Sequence, residues 1–201
     1  MPRAFTQLER DNIRKKLIDI AADTVIKNGV KTTSIEKIVK SAHISKGAFY
    51  LFYQTKEQLI FEAIQNVQNS ARLRLLSLVA SEKVGSKKAW AERFILAIFN
   101  MFEEFPLLGA IANSEIMNEL LRGASQDAIS EEQKSDDQFF ESVFLKLKKK
   151  KLILNSVDNQ ILIGIPRAIL SLEMNRGMIG IQRYQGLKKL IASAFAAEIS
   201  A

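Results

Sequence analysis

The chain contains no cysteine, and its 201 residues include only 3 prolines, 9 glycines and one histidine. Without thiols there can be no disulfide framework, no thiolate nucleophile and no zinc–thiolate site. So few helix breakers, together with abundant Ala, Leu, Ile, Lys and Glu, predict an all-α protein. No apolar run reaches the length of about 18 residues that a membrane span needs, so no membrane partner is expected. The opening MPRAFTQLERDNIRKK is polar and charged, unlike a secretory signal, and the expected location is the cytoplasm. Material for catalysis is equally scarce. Beyond the lone His43 there are adjacent carboxylates at Glu103-Glu104 and Asp136-Asp137, whose side chains diverge by about 100° on a helix. No enzyme activity, metal or cofactor is expected.

What the chain does have is a soluble globular mixture, 47% hydrophobic and 25% charged. Its length allows one large domain or two small ones sharing a core. The net charge of +7 is unevenly placed: residues 1–60 hold 11 Lys/Arg against 6 Asp/Glu, and the remainder hold 18 against 16. A basic N-terminal part supplies the salt-sensitive share of an affinity for DNA. Taken alone, that charge would serve solubility equally well.

Residues 33–59, TSIEKIVKSAHISKGAFYLFYQTKEQL, decide between these roles. Ile35, Ile38 and Val39 follow helical spacing from about Ser34 to Ala42. Thr33 or Ser34 can cap that helix, and Thr33 with Glu36 makes a capping box. His43-Ile44 form a turn, and Ser45 is a natural N-cap for a second helix to about Phe52. This is helix-turn-helix geometry, in which the second helix enters the DNA major groove with its first residues toward base edges.

The same stretch resembles the DNA-binding region of TetR-type (TetR/AcrR) transcriptional regulators. The resemblance is carried by Thr33-Ser34, Ile38, Ala42, Ile44-Ser45, Lys46-Gly47, Tyr50, Tyr53, Thr55-Lys56-Glu57 and Leu59, and covers about the first 60 residues. The rest is similar in helical architecture and length only. Two positions depart from the pattern: His43 stands where the family usually has a turn glycine, and Phe52 replaces a common histidine that could contact phosphate. Histidine reaches φ > 0 more readily than most residues, so the turn is expected to form.

An amphipathic helix from about Glu9 to Lys27, closed by Asn28-Gly29, precedes the motif. Another begins at Thr55, capped with Gln58, and continues to about Ala80, a rod of roughly 37 Å. Glu82–Ser86 is the first plausible break. The expected division is a helix-turn-helix head, 1–55, and a helical ligand-binding and dimerisation bundle, 56–201. Later helices are expected at about 87–105, 107–122, 130–150, 158–177 and 186–199, with Pro166 kinking the fourth of these.

Candidate DNA contacts are Thr33, Ser34, Ser45, Lys46, Gly47, Ala48, Tyr50 and Lys56. Lys46 can donate to guanine or phosphate, and Ala48 can touch a thymine methyl. Gly47 lets DNA approach the backbone. Thr33 and Ser34 sit at a helix N-terminus, which favours phosphate. Lys56 is ill-placed for its own helix dipole, which a phosphate contact would offset. The resemblance implies that Tyr50 hydrogen-bonds phosphate.

The resemblance also implies a pocket for an unknown small hydrophobic ligand among Phe94, Ile98, Met101, Phe102, Phe105, Met117, Phe140 and Phe144. Asn113, Asn118, Arg167 and Glu173 are possible polar partners; the alternative is that these side chains are simply core. The last two helices are where the family places its dimer interface, here Ile165, Ile169, Leu172, Leu187, Leu190, Ile191, Ala194 and Phe195. The lysine run at Lys146 and Lys148–Lys151 ends a helix with an acidic start, capped at Ser130, and complements its dipole. The expected function is a homodimeric, ligand-responsive repressor of a palindromic operator in double-stranded DNA. The alternative is an all-α lipid- or small-molecule-binding module whose DNA binding is not ligand-controlled.

Overall fold

The computed structural model describes residues 5–81, 86–112, 122 and 126–200. Among these residues the chain forms helices joined by short turns and no strand. The first three are α1 (Gln7–Asn28), α2 (Ile35–Ala42) and α3 (Lys46–Phe49). Helix α1 begins two residues before its expected start, because Thr6 and Glu9 form a reciprocal capping box. Ser34 caps α2 by accepting from the Lys37 amide at 3.3 Å. Helix α3 is one turn long. It ends at Phe49 rather than near Phe52, and tighter bonds such as Phe52 N to Phe49 O at 2.9 Å carry the chain onward.

Helix α4 (Lys56–Ala80) starts at Thr55, whose hydroxyl accepts from the Gln58 amide at 3.2 Å. The Gln58 side chain accepts from Gln54, one residue ahead of the cap, at 2.9 Å. Helix α5 (Lys87–Glu104) begins at the Ser86 cap. Pro106 opens α6 (Pro106–Ile111), as a residue without an N–H can at a first turn.

The expected capping box at Ser130 does not form, because Ser130 lies inside α7 (Gln126–Lys149), which starts four residues earlier. The expected helix 158–177 is α8 (Asn159–Met174), with Pro166 buried within it, followed by α9 (Arg176–Ile179). The side chain of Asn175 bonds back to the Ser171 carbonyl at 2.8 Å where α8 ends. Gly180, at φ 86°, then turns the chain into α10 (Ile181–Ser200).

Three apolar clusters hold these helices. Leu17, Ala21, Ile38, Val39, Ala42, Phe49, Tyr53 and Leu59 form the core of the head. A junction cluster joins Val25 and Val30 to Ile60, Ala63 and Ile64 of α4 and to Leu107 and Ile111 of α6. The body core gathers the end of α4 with α5, α7, α8 and α10, and α10 packs most extensively along α5. Helix α4 therefore feeds all three clusters, with Leu59 in the head and Leu75 in the body. No glycine-rich linker separates α4 from the head. Among the described residues no helix is long and apolar enough to cross a membrane.

Candidate nucleic-acid interface

The turn between α2 and α3 is set by His43, which takes the left-handed conformation, φ 58° and ψ 43°. Its amide bonds the Lys40 carbonyl at 3.3 Å, and the next amide bonds Val39 at 3.1 Å. Ser45 then caps α3 by accepting from the Ala48 amide at 3.1 Å. Phe49 points inward, fully buried. Ser45, Lys46, Gly47 and Tyr50 are exposed, and Ala48 is half-buried. The helix thus anchors on one aromatic and turns its other side to solvent. Tyr50 leans its ring edge-on against Phe49 at 5.6 Å and remains half exposed.

Gly47 has no internal reason to be glycine. It lies in helical backbone, and an added Cβ would find only the Ser45 Oγ, at 3.9 Å. Lys46 pairs with Glu36 of α2, Nζ to Oε1 at 2.6 Å. The hydrogen bond and charge of Glu36 raise the Lys46 ammonium, and Lys46 holds the Glu36 carboxyl below its usual range. Water reaches both side chains, so this pair opens easily to a competing charge.

Two of the expected phosphate contacts have other duties. Thr33 is buried, and its hydroxyl donates to the Gly29 carbonyl at 2.8 Å. It fastens the turn before α2, and the cap falls to its half-buried neighbour Ser34. Lys56 reaches back to the Val30 and Thr33 carbonyls at 3.2 and 2.8 Å, so its ammonium clamps that same turn from α4. The unfavourable dipole position is offset inside the protein.

Phe52 packs beside Phe5, with ring centroids 6.4 Å apart, and under the Arg10 guanidinium, 5.6 Å from its centroid. Sequence reading passed over Arg10, as it did the bidentate Arg14–Glu62 pair at 2.9 Å for both bonds. The members of that pair are 48 positions apart, so no local pattern marks them. Burial pushes the nearby Tyr53 phenol up to about 12, with the Glu62 carboxylate adding to the effect. Among the described residues the Tyr53 hydroxyl itself has no hydrogen-bond partner.

In the body, Phe94, Ile98, Met101 and Phe144 are buried in the main core, with Phe102, Phe105 and Phe140 packed on its edge. Phe94 stacks on Trp90 at 5.4 Å and meets Phe144 edge-on at 6.0 Å. These side chains satisfy one another as core. Met117, Asn113 and Asn118 lie outside the described residues. Arg167 is committed to a bidentate pair with Asp137, and buried Glu173 to Tyr184 and Arg176.

Ile165 and Ile169 are also buried inside this one chain, which removes them from any interface with a second copy. Leu172, Ile191 and Phe195 are partly buried against the same core. Leu187, Leu190 and Ala194 of α10 face outward, Leu190 with 65% of its surface exposed. The outward residues of α8 are Ile161, 64% exposed, Gly164 and Ala168, together with the polar Gln160, Arg167 and Ser171. Two lysines of the run bond internally: Lys148 reaches the Val157 carbonyl and the Asn159 side chain at 2.6 and 2.7 Å, and Lys150 the Val79 carbonyl at 3.0 Å.

Comparison with known proteins converges on the head. The model of the tetR family of bacterial regulatory proteins matches residues 17–63. The HTH-type transcriptional regulator QacR of Staphylococcus aureus is 39% identical over 59 residues, 29% of this chain and 31% of its own length. The regulator YdgC of Bacillus subtilis is 28% identical over 90 residues, 45% of this chain and 46% of its own. The chain therefore spans less than half the length of these relatives. Similarity of fold extends further. The fatty acid degradation regulator FadR of Bacillus halodurans superposes with a TM-score of 0.68 at 15% identity, over 96% of both chains. Reduced NemR of E. coli also gives 0.68 at 15% identity, over 94% of this chain and 97% of its own.

Proposed function

The chain belongs to the TetR family of bacterial regulatory proteins, and on that basis we propose that it is a homodimeric transcriptional repressor of a palindromic DNA operator. The observation that carries this reading is the exposed first turn of α3. Its Gly47 is unexplained by anything inside the protein, and it stands beside Lys46 and Tyr50 on one solvent-facing surface. Lys46 meets base edges or phosphate, Gly47 lets the backbone come close, and Tyr50 donates to phosphate. Ser34 and Ser45 hold the two helix starts that face the duplex.

The dimer forms through the outer faces of α8 and α10, around Ile161, Leu187, Leu190 and Ala194. A two-fold axis then places two heads on successive major grooves about 34–36 Å apart, or somewhat further. Release follows a population shift. A small apolar ligand stabilises a body conformation in which α4 and α6 carry the heads to a spacing that no longer matches the operator. The junction cluster of Val25, Val30, Ile60, Ile64, Leu107 and Ile111 supports this route, since it ties α6 to the head. The ligand enters beside Phe102, Phe105 and Phe140, three of the aromatics on the edge of the core.

The test is selection of genomic fragments by the purified protein, with the best fragment then titrated at several salt concentrations. A palindromic site whose affinity falls steeply with salt is the expected result. No enriched site, or binding indifferent to salt, would refute it.

A further inference from the structure

Glu36 is a carboxylate on a surface that has to meet a polyanion. Its side chain is 66% exposed in the first turn of α2, and its Oε1 lies 2.6 Å from the ammonium of Lys46 in the first turn of α3. An exposed pair of this kind adds little to stability. It also cancels a positive charge that would otherwise attract phosphate, so it weakens general affinity for DNA. The two residues lie ten positions apart on different helices, so the tertiary turn at His43 creates this pairing.

We propose that Glu36 and Lys46 dock as one unit on a G·C base pair, Lys46 donating to guanine O6 and N7 and Glu36 accepting from the cytosine N4 amino group. In the major groove the guanine O6 and cytosine N4 lie side by side, an acceptor next to a donor. They bond to each other across the pair, so their spacing is about one hydrogen-bond length. The protein presents the complementary donor and acceptor at a like spacing.

An A·T pair in the same orientation sets its adenine amino group against the ammonium and its thymine O4 against the carboxylate, opposing like with like. A reversed T·A pair offers thymine O4 and adenine N6 in the matching order, but puts the thymine methyl where Lys46 would reach guanine N7. A phosphate group attracts Lys46 but repels Glu36. The pair therefore discriminates twice, against A·T pairs and against the backbone. This inference rests on α3 being the recognition helix.

The experiment is selection from a random duplex library with the full-length wild-type protein and its Glu36→Gln, Glu36→Ala and Lys46→Ala variants. The wild type should enrich a G·C pair at one fixed position in each half-site. Both Glu36 variants should keep the remainder of the site but lose roughly tenfold of the preference at that position. They should also bind random-sequence DNA more tightly, with a salt dependence steeper by about one charge. Because Glu36 is exposed, their melting temperatures should match the wild type.

An unchanged preference at every position in both Glu36 variants overturns the proposal while leaving the regulator reading intact. Loss at a position that is not G·C does the same. A wild-type protein that enriches no site overturns both.

Discussion

Replacing Gly47 by Ala separates what the first turn of α3 needs for folding from what it needs for DNA. Inside the protein the methyl group meets only the Ser45 Oγ, at an ordinary 3.9 Å, in backbone that alanine prefers. Glycine within a helix costs roughly 0.5–1 kcal/mol relative to alanine. In a single-turn helix only part of that returns, about 0.5 kcal/mol. For a chain of this size that is a rise in melting temperature of about 1–2 °C. At a close protein–DNA contact the same methyl acts as overpacking, costing about 1–3 kcal/mol. That corresponds to roughly a 5- to 150-fold weaker Kd. Thermal melts and operator titrations on one preparation read both effects. Equal or tighter DNA binding by Gly47→Ala would refute the close approach, and a lower melting temperature would refute the reading of its internal surroundings.

Three further outcomes follow from the same contacts. Lys56→Met should destabilise the head by about 1–2 kcal/mol, since it strips the clamp from the Val30 and Thr33 carbonyls. It should leave the slope of log affinity against log salt unchanged; a slope shallower by about one would return Lys56 to the phosphate contacts. Burial acts to raise the Glu62 carboxyl, but the paired hydrogen bonds and the charge of Arg14 outweigh it and leave it lowered. A carboxyl depressed on folding stabilises above its unfolded pKa and loses that contribution as pH falls through its folded value. Glu62→Gln should therefore weaken the protein near pH 7 in urea titrations, with the gap to wild type closing below about pH 4; a constant gap would contradict the assignment. Leu190→Glu should give a folded monomer in sedimentation, whereas Ile169→Glu should fail to fold, because Ile169 is wholly buried and Leu190 is not. A dimeric Leu190→Glu would move the interface elsewhere.

Local signals carried the helical class, the helix-turn-helix and most helix starts. Ser34, Ser45 and Thr55 cap where their spacing places them, because an N-cap bonds an amide only a few residues ahead. His43 takes the left-handed turn that its position demands. The errors at α1 and α7 are also local in kind: the Thr6–Glu9 box was passed over, and Ser130 resembled a cap while lying in mid-helix.

The three-dimensional arrangement decided the duties of the polar side chains and the burial of the apolar ones. Thr33 and Lys56 both resembled phosphate ligands, yet Lys56 closes on the carbonyls of Thr33 and Val30, the latter 26 positions away. Ile169 and Leu190 are alike in chemistry and both sit on helical stripes, but α5 and its neighbours cover only the first. Periodicity identifies an apolar face without saying which element will cover it. The Lys46–Glu36 pair shows the same division: capping and turn chemistry, which act over three or four residues, built each helix separately. Only their packing on Phe49 and the head core set the carboxylate against the ammonium.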